Sequence, residues 1–253
     1  MERRYRMNER QVFSIFKNTK PVFGMLHLKG DNREDIFERF KKELQIYLDC
    51  GIDAVILENY FGDYDNLVDA LEYISKLNLE IPYGVNCLNI DQMGFYLAQK
   101  YHAAFVQVDS VVGHVKPRDE ATLREFFNMM RNYYDGYVFG GVRFKYQPML
   151  SEKTVEEDLE IAKTRCDAVC VTQDRTGQET SMEKIIQFRN GLGDFPLIVA
   201  AGVTADNIEK QFEYADAVIV GSYFKDNYKD EGELCAEHVR EILDIVENIR
   251  KKG

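Results

Sequence analysis

The stretch PLIVAAGVTADNIEKQFEYADAVIVGSYF, residues 196–224, decides the fold. Two runs rich in Val, Ile and Ala, 196–202 and 216–222, flank a segment with helical spacing, 205–213. Continuous apolar runs of this length suit parallel strands buried on both faces. Working outward, six further runs of the same kind lie at 21–28, 53–59, 82–87, 104–110, 137–144 and 167–173. Helical segments fill the gaps at 33–50, 64–76, 91–101, 119–133, 154–165, 180–190 and 231–251. In 33–50, for example, Ile36, Phe40, Leu44 and Tyr47 recur at the spacing of one helix face. Thr154 with Glu157, and Thr180 with Glu183, predict capping boxes that start two helices just after a strand. Eight strands alternating with eight helices over 253 residues predict a single α/β domain, a (β/α)8 TIM barrel. Residues 1–18 read as an N-terminal extension or helix leading into it. An open doubly wound sheet is the rival, and the count of eight favours the barrel. The triplet Asp-Ala-Val recurs at 53–55, 167–169 and 216–218, each time where a strand begins.

Composition narrows the function classes. Hydrophobic residues make up 45% and charged residues 30%, which excludes a disordered chain. With 32 Lys+Arg against 43 Asp+Glu, the net charge of −11 argues against nucleic-acid binding. No run approaches the ~20 apolar residues of a membrane helix, so no membrane insertion is expected. The start, MERRYRMNERQVF, lacks an apolar signal region, and a cytoplasmic location is expected. The five cysteines are odd in number and mostly sit in apolar runs, which predicts reduced core thiols.

Barrel chemistry sits at the C-terminal ends of the strands. Read there, strand by strand, the polar residues are His27, Glu58 with Asn59, Asn86, Gln107 with Asp109, Arg143 with Lys145, and the run Asp174-Arg175-Thr176-Gly177. Strands 7 and 8 end in Gly202-Val203-Thr204 and Gly221-Ser222. Glycine permits close approach of an anion to backbone N–H groups, so Gly202, Thr204, Gly221 and Ser222 predict a phosphate anchor, with SYFK as its short extra helix and Lys225 nearby. His102 and His238 are expected in helices and His114 in a loop, which leaves His27 as the strand-end imidazole beside Glu58. Glu58 and Asp109 follow apolar runs, where a carboxylate is costly unless paired or used. With diverging pKa values they would serve as acid and base. With His27 they would instead hold a divalent ion, and a neutralising network with Arg143 and Lys145 competes with both readings. Lys145 suits a Schiff base or an anionic substrate group. Asn59, Asn86, Arg143, Asp174, Thr176 and Gly177 are the expected substrate contacts.

The ordered set KPVFGMLHL, GIDAVILEN, YGVNCLN, AFVQVDSVVG, VRFK, the Thr176-Gly177 pair, AAGVT-x-x-N and DAVIVGSYFK resembles the BtpA/SgcQ family over about residues 12–248. The resemblance implies a barrel similar to the ribulose-phosphate-binding group. It matches at His27, Glu58, Asn59, Asn86, Lys145, Thr176, Gly177, Gly202, Thr204 and Gly221. One branch of that family is named for photosystem I biogenesis and another is associated with sugar-uptake operons; no settled reaction comes with either. Relatives often carry Asp at Gly141, His at Tyr146 and Asn at Asp109, and a longer loop where this chain has HLKGD. A different substrate, or a lost activity, follows from those departures.

Three functions compete at this level. The first is an isomerase, epimerase or lyase on a small phosphorylated metabolite, a sugar phosphate or a nucleotide-derived compound, with His27, Glu58, Asp109 and Lys145 catalytic. The second is a non-catalytic assembly protein that keeps the barrel as scaffold, its aromatic stretches 125–137 and 213–224 supplying a contact face. At the default reading, however, Phe126, Phe127, Met130 and Tyr134 pack into the core and a homo-oligomer interface comes next. The third is a metal-dependent hydrolase or glycosidase on His27, Glu58 and Asp109, which lacks further strand-end histidines.

Overall fold

A computed structural model describes residues 12–113, 119–147 and 149–252; His114 lies outside them. Eight parallel strands close into a barrel in sequence order: β1 Val22–Leu26, β2 Ala54–Glu58, β3 Tyr83–Asn86, β4 Phe105–Val108, β5 Tyr137–Gly141, β6 Ala168–Val171, β7 Leu197–Val199 and β8 Ala217–Val220. Pairing of β1 with β8 completes the ring, Val22 opposite Val218. The outer helices are α1 Arg33–Cys50, α2 Tyr64–Ile74, α3 Asp91–Lys100, α4 Glu120–Tyr133, α5 Val155–Lys163, α6 Met182–Leu192, α7 Ile208–Gln211 and α8 Ala236–Lys252. A 3-10 turn at Ser222–Phe224 supplies the short extra helix expected after strand 8.

Strand side chains alternate between the barrel interior and the helices. The inward set is Phe23 and Met25, Ala54 and Ile56, Phe105, Phe139, Cys170, Ile198 and Ile219. Phe105 stacks on Phe139 with ring centroids 4.5 Å apart. Gly84 on the neighbouring strand makes room, because a Cβ there would fall 2.0 Å from the Phe105 ring. Val12 and Phe16 plug the N-terminal end, Phe16 lying 4.9 Å from the Phe23 ring. The outward set packs under the helices with Phe40, Phe127, Met130, Tyr134 and Phe188. Phe127, Met130 and Tyr134 are thus core residues, and Phe126 packs against them.

The recurring Asp-Ala-Val triplet has a structural cause. Each Asp stands just before its strand and reaches back to the preceding one. Asp53 accepts the Val22 N–H at 2.8 Å, Asp167 that of Val138 at 2.8 Å, and Asp216 that of Leu197 at 2.9 Å. Each also takes an arginine from a helix: Arg250 at 2.6 Å, Arg131 at 2.7 Å and Arg189 at 2.6 Å respectively. The triplet is a strand-to-strand clamp used three times at the base of the barrel.

Some local expectations change. The box at Thr154 and Glu157 forms, whereas α6 is capped by Ser181, one residue later than expected. Thr180 instead donates its hydroxyl to the Ala201 carbonyl at 3.0 Å, which ties loop 6 to strand 7. The helix after strand 7 shrinks to Ile208–Gln211, and α8 starts at Ala236 rather than 231. His102 lies just beyond α3 with φ 55°, while His238 is in α8.

Candidate functional site

Inward parity carries polar side chains to the mouth. His27 continues the Phe23–Met25 row, Glu58 the Ala54–Ile56 row, Asn86 that of Gly84, and Gln107 that of Phe105. They meet beneath a cavity of about 410 Å³. His27, Glu58, Gln107, Lys145, Thr176, Gly177, Gly202, Thr204, Gly221 and Ser222 all line it.

The floor is a buried polar chain. His27 Nε2 lies 3.5 Å from Glu58 Oε2, with His27 5% and Glu58 3% exposed. Asn86 donates its amide to Glu58 Oε1 at 2.8 Å and to Asp109 Oδ1 at 3.3 Å. Asn86 therefore braces Glu58, and Asp109 holds the Asn86 amide in turn. His27 Nδ1, Glu58 Oε2 and Gln107 Oε1 are buried without a hydrogen-bond partner in the protein. Such atoms cost free energy unless something else pairs with them.

Burial sets the charges. It pushes the Glu58 carboxyl up to about 8, opposed by nearby Lys145 and reinforced by Asp109 and Asp230. It pushes His27 down to about 3, with the positive charges of Lys225 and Lys145 acting the same way. Asp109 is also raised by burial, against the pull of Lys145. Near neutrality Glu58 is mostly protonated and His27 neutral. Glu58 has a folded pKa above its ordinary value of 4.5, so its contribution to stability is fully present below about 4.5 and is lost as pH rises to about 8. Glu58→Gln removes this loss. We expect the variant to gain stability over the wild type progressively across that window, read as denaturation midpoints at several pH values; a constant difference would refute the assignment.

Three expected contacts fall elsewhere. Strand 5 ends at Gly141, and Arg143 takes φ 48°, which breaks the inward alternation. Its guanidinium turns to α5 instead, bonding Asp158 at 2.9 Å and the Lys153 carbonyl at 2.6 Å. Asp174 is exposed outside the cavity, beside Arg143 and Lys184. Asn59 accepts the Leu88 N–H at 2.8 Å and so fixes loop 3. The metal set is not assembled either, because the Asn86 amide stands between Glu58 and Asp109. Among the described residues no three His, Cys, Asp or Glu side chains are grouped to hold a metal ion.

The ends of strands 7 and 8 do converge, but the chain itself engages their polar groups. The Thr204 N–H donates to Asn207 Oδ1 at 2.8 Å. The Ser222 hydroxyl donates to Asp230. Gly202 has φ +66°, and a Cβ there would lie 2.2 Å from the Gln178 carbonyl oxygen, so chain packing alone demands glycine. Lys225 is 3% exposed and pairs with Glu43 on α1.

Strand-end position in the sequence does not flag Tyr60, Asp206, Tyr228 or Asp230. Asp206, Tyr228 and Asp230 line the cavity, and Tyr60 lies 5.0 Å from the His27 ring. Tyr60 donates its hydroxyl to Thr176 Oγ1 at 3.4 Å, and the Thr176 N–H donates to the Tyr146 hydroxyl at 3.1 Å. Loops 2, 5 and 6 thereby meet across the mouth. A signal for Tyr60 existed, since it follows Glu58-Asn59 directly; the loop DNYKDEGEL carried no periodicity to flag Asp230.

Solved structures similar to this one include phosphoribosyl anthranilate isomerase from Thermus thermophilus, with TM-score 0.61 at 13% identity, covering 91% of this chain and 100% of that one. The same enzyme from Thermococcus kodakaraensis gives 0.59 at 15%, covering 90% and 99%. At these identities the likeness establishes the TIM-barrel fold. An uncharacterized protein of Methanocaldococcus jannaschii is 28% identical over 94% of this chain and 99% of its own. The photosystem I biogenesis protein BtpA of a Synechocystis species is 23% identical over 85% and 83%. The BtpA family model matches residues 18–248, from before the first strand into the last helix, and the chain belongs to the BtpA family.

Proposed function

We propose that this protein is an enzyme that moves a proton next to the carbonyl of a small, sugar-sized metabolite, as an isomerase, epimerase or lyase does. The observation that carries this reading is the Glu58 carboxyl, buried beneath the cavity with its pKa raised to about 8. A carboxylate of that basicity takes a proton from carbon far better than an exposed one, and its acid form can return it. In the first half-step the ionised Glu58 removes the proton from the carbon beside the carbonyl. The electron pair of that C–H bond forms a carbon–carbon double bond, and the π pair of the carbonyl moves onto its oxygen, giving an enolate. Lys145 lines the same cavity and would face the charge that develops on that oxygen. In an isomerase Glu58 then returns the proton to the former carbonyl carbon, while the proton of the hydroxyl on the deprotonated carbon passes to the enolate oxygen, so that the carbonyl has moved by one carbon. His27 and Asn86 hold the carboxyl in place.

The sequence reading adds a phosphate ester as the substrate form, anchored at Gly202, Thr204, Gly221 and Ser222. The panel for the test therefore holds each sugar both free and phosphorylated. Incubation in D2O with such a panel should place deuterium on the carbon beside the carbonyl of one class, read by mass spectrometry. The rate should rise about tenfold per pH unit and level off above about 8, because the ionised form of Glu58 is the base. No incorporation from any member would remove the proposal.

A second reading, an assembly scaffold, is supported by the name of the Synechocystis relative and by two exposed side chains one turn apart on α4, Met129 and Tyr133. It calls for a co-purifying protein, and a monomer with no partner on native mass spectrometry counts against it.

A further inference from the structure

We infer that the strand-8 end of the cavity selects an uncharged, hydroxyl-bearing group, with Asp230 as the selecting residue, so that the substrate presents free sugar hydroxyls there rather than a phosphate. The inference rests on the reading of the cavity as a sugar-sized site, and it replaces the phosphate anchor with a different recognition chemistry.

Three independent features support it. The first is charge. Asp206 and Asp230 both line the cavity where the anion would sit, and among its lining residues Lys145 is the one Lys or Arg. A phosphate dianion brought beside two carboxylates meets like charge, whereas a hydroxyl donates to them. The second is the state of the phosphate donors. Two of the groups expected to hold the anion, the Ser222 hydroxyl and the Thr204 N–H, already bond Asp230 and Asn207, and are open to an anion only at the loss of those contacts. The third is the floor. Gln107 is 5% exposed, and its buried Oε1 is an acceptor without a partner in the same cavity. A ligand rich in O–H donors satisfies that oxygen and the open valences of Asp230 together; a phosphate, which brings acceptors, satisfies neither. Tyr223 and Tyr228, with rings 5.3 Å apart, add aromatic surface on the same wall for the C–H face of a sugar.

The test compares D-ribose and D-fructose with their phosphate esters and with inorganic phosphate, by titration of the wild type, Asp230→Asn and Glu231→Gln. In the wild type the free sugars should bind at least about tenfold tighter than the esters, about 1.4 kcal/mol. Asp230→Asn removes the charge and keeps the size, and it should narrow or reverse that ratio by about tenfold. Glu231→Gln removes an exposed charge next to Asp230 but outside the cavity lining, and should leave the preference for free sugars in place. Tighter binding of the esters by the wild type, a ratio unmoved by Asp230→Asn, or binding of neither class overturns the inference. Failure of the proton-transfer reading looks different: sugar selectivity would persist with no deuterium incorporated.

Discussion

Glu58→Gln should lower proton exchange into substrate by about 10²–10⁴-fold, the usual contribution of a general acid–base group. The amide is nearly the same shape. The contact with the Asn86 amide can be kept, because the Gln carbonyl can still accept the bond that Glu58 Oε1 accepts at 2.8 Å. What disappears is the titratable proton. The Michaelis constant should change much less than the turnover, since the group acts on the proton in flight. The pH dependence should vanish with it, because the ionisation near 8 belongs to this carboxyl. The decisive result is a rate profile in D2O on wild type and variant side by side. Retained exchange with an unchanged profile would assign the proton to another group.

The largest stability loss should come from the opposite end of the barrel. Asp53→Ala is expected to destabilise the fold by about 3–5 kcal/mol, the range for removing one partner of a buried ion pair. The Asp53 side chain is 1% exposed and holds three donors: Arg250, the Val22 N–H and the Asn18 amide. Losing it leaves a mostly buried guanidinium and a strand N–H unpaired. The equivalent changes should rank by exposure. Asp167 is 12% exposed and Asp216 41%, so water compensates the third most. Urea denaturation of the three alanine variants gives the order directly. An effect of Asp216→Ala equal to that of Asp53→Ala would show that burial does not control the clamps. Catalysis should survive in all three, since none lies near the mouth.

The barrel was legible because a strand buried on both faces must be apolar along its length, and 137–144 or 216–222 look like nothing else. The mouth was legible as far as strand geometry persists. His27, Glu58 and Asn86 could be placed because alternation continues to the last paired residue. Arg143 shows where that stops. Two residues past the strand its backbone turns left-handed, and parity no longer says which way a side chain points. Asp230 marks the same limit more sharply. It comes ten residues after Val220 in a loop without periodicity, and long-range contacts alone bring it to Ser222. The phosphate expectation rested on glycines, and glycine has two reasons to sit at a strand end: an anion above it or a carbonyl beside it. At Gly202 the carbonyl of Gln178 is sufficient cause.

The Asp53 clamp also imposes an order on synthesis. Its arginine follows the carboxylate by 197 residues. At about 5–20 residues per second, a ribosome needs about 10–40 s to deliver it. Until Ala217–Val220 has followed, β1 lacks its β8 neighbour, and the growing sheet presents a bare edge to other nascent chains. Arg250 also bonds the Thr19 and Lys20 carbonyls, so the latch that holds the first strand comes from a helix made after all eight strands. The demand for chaperone protection is thereby concentrated before β8 and α8 emerge.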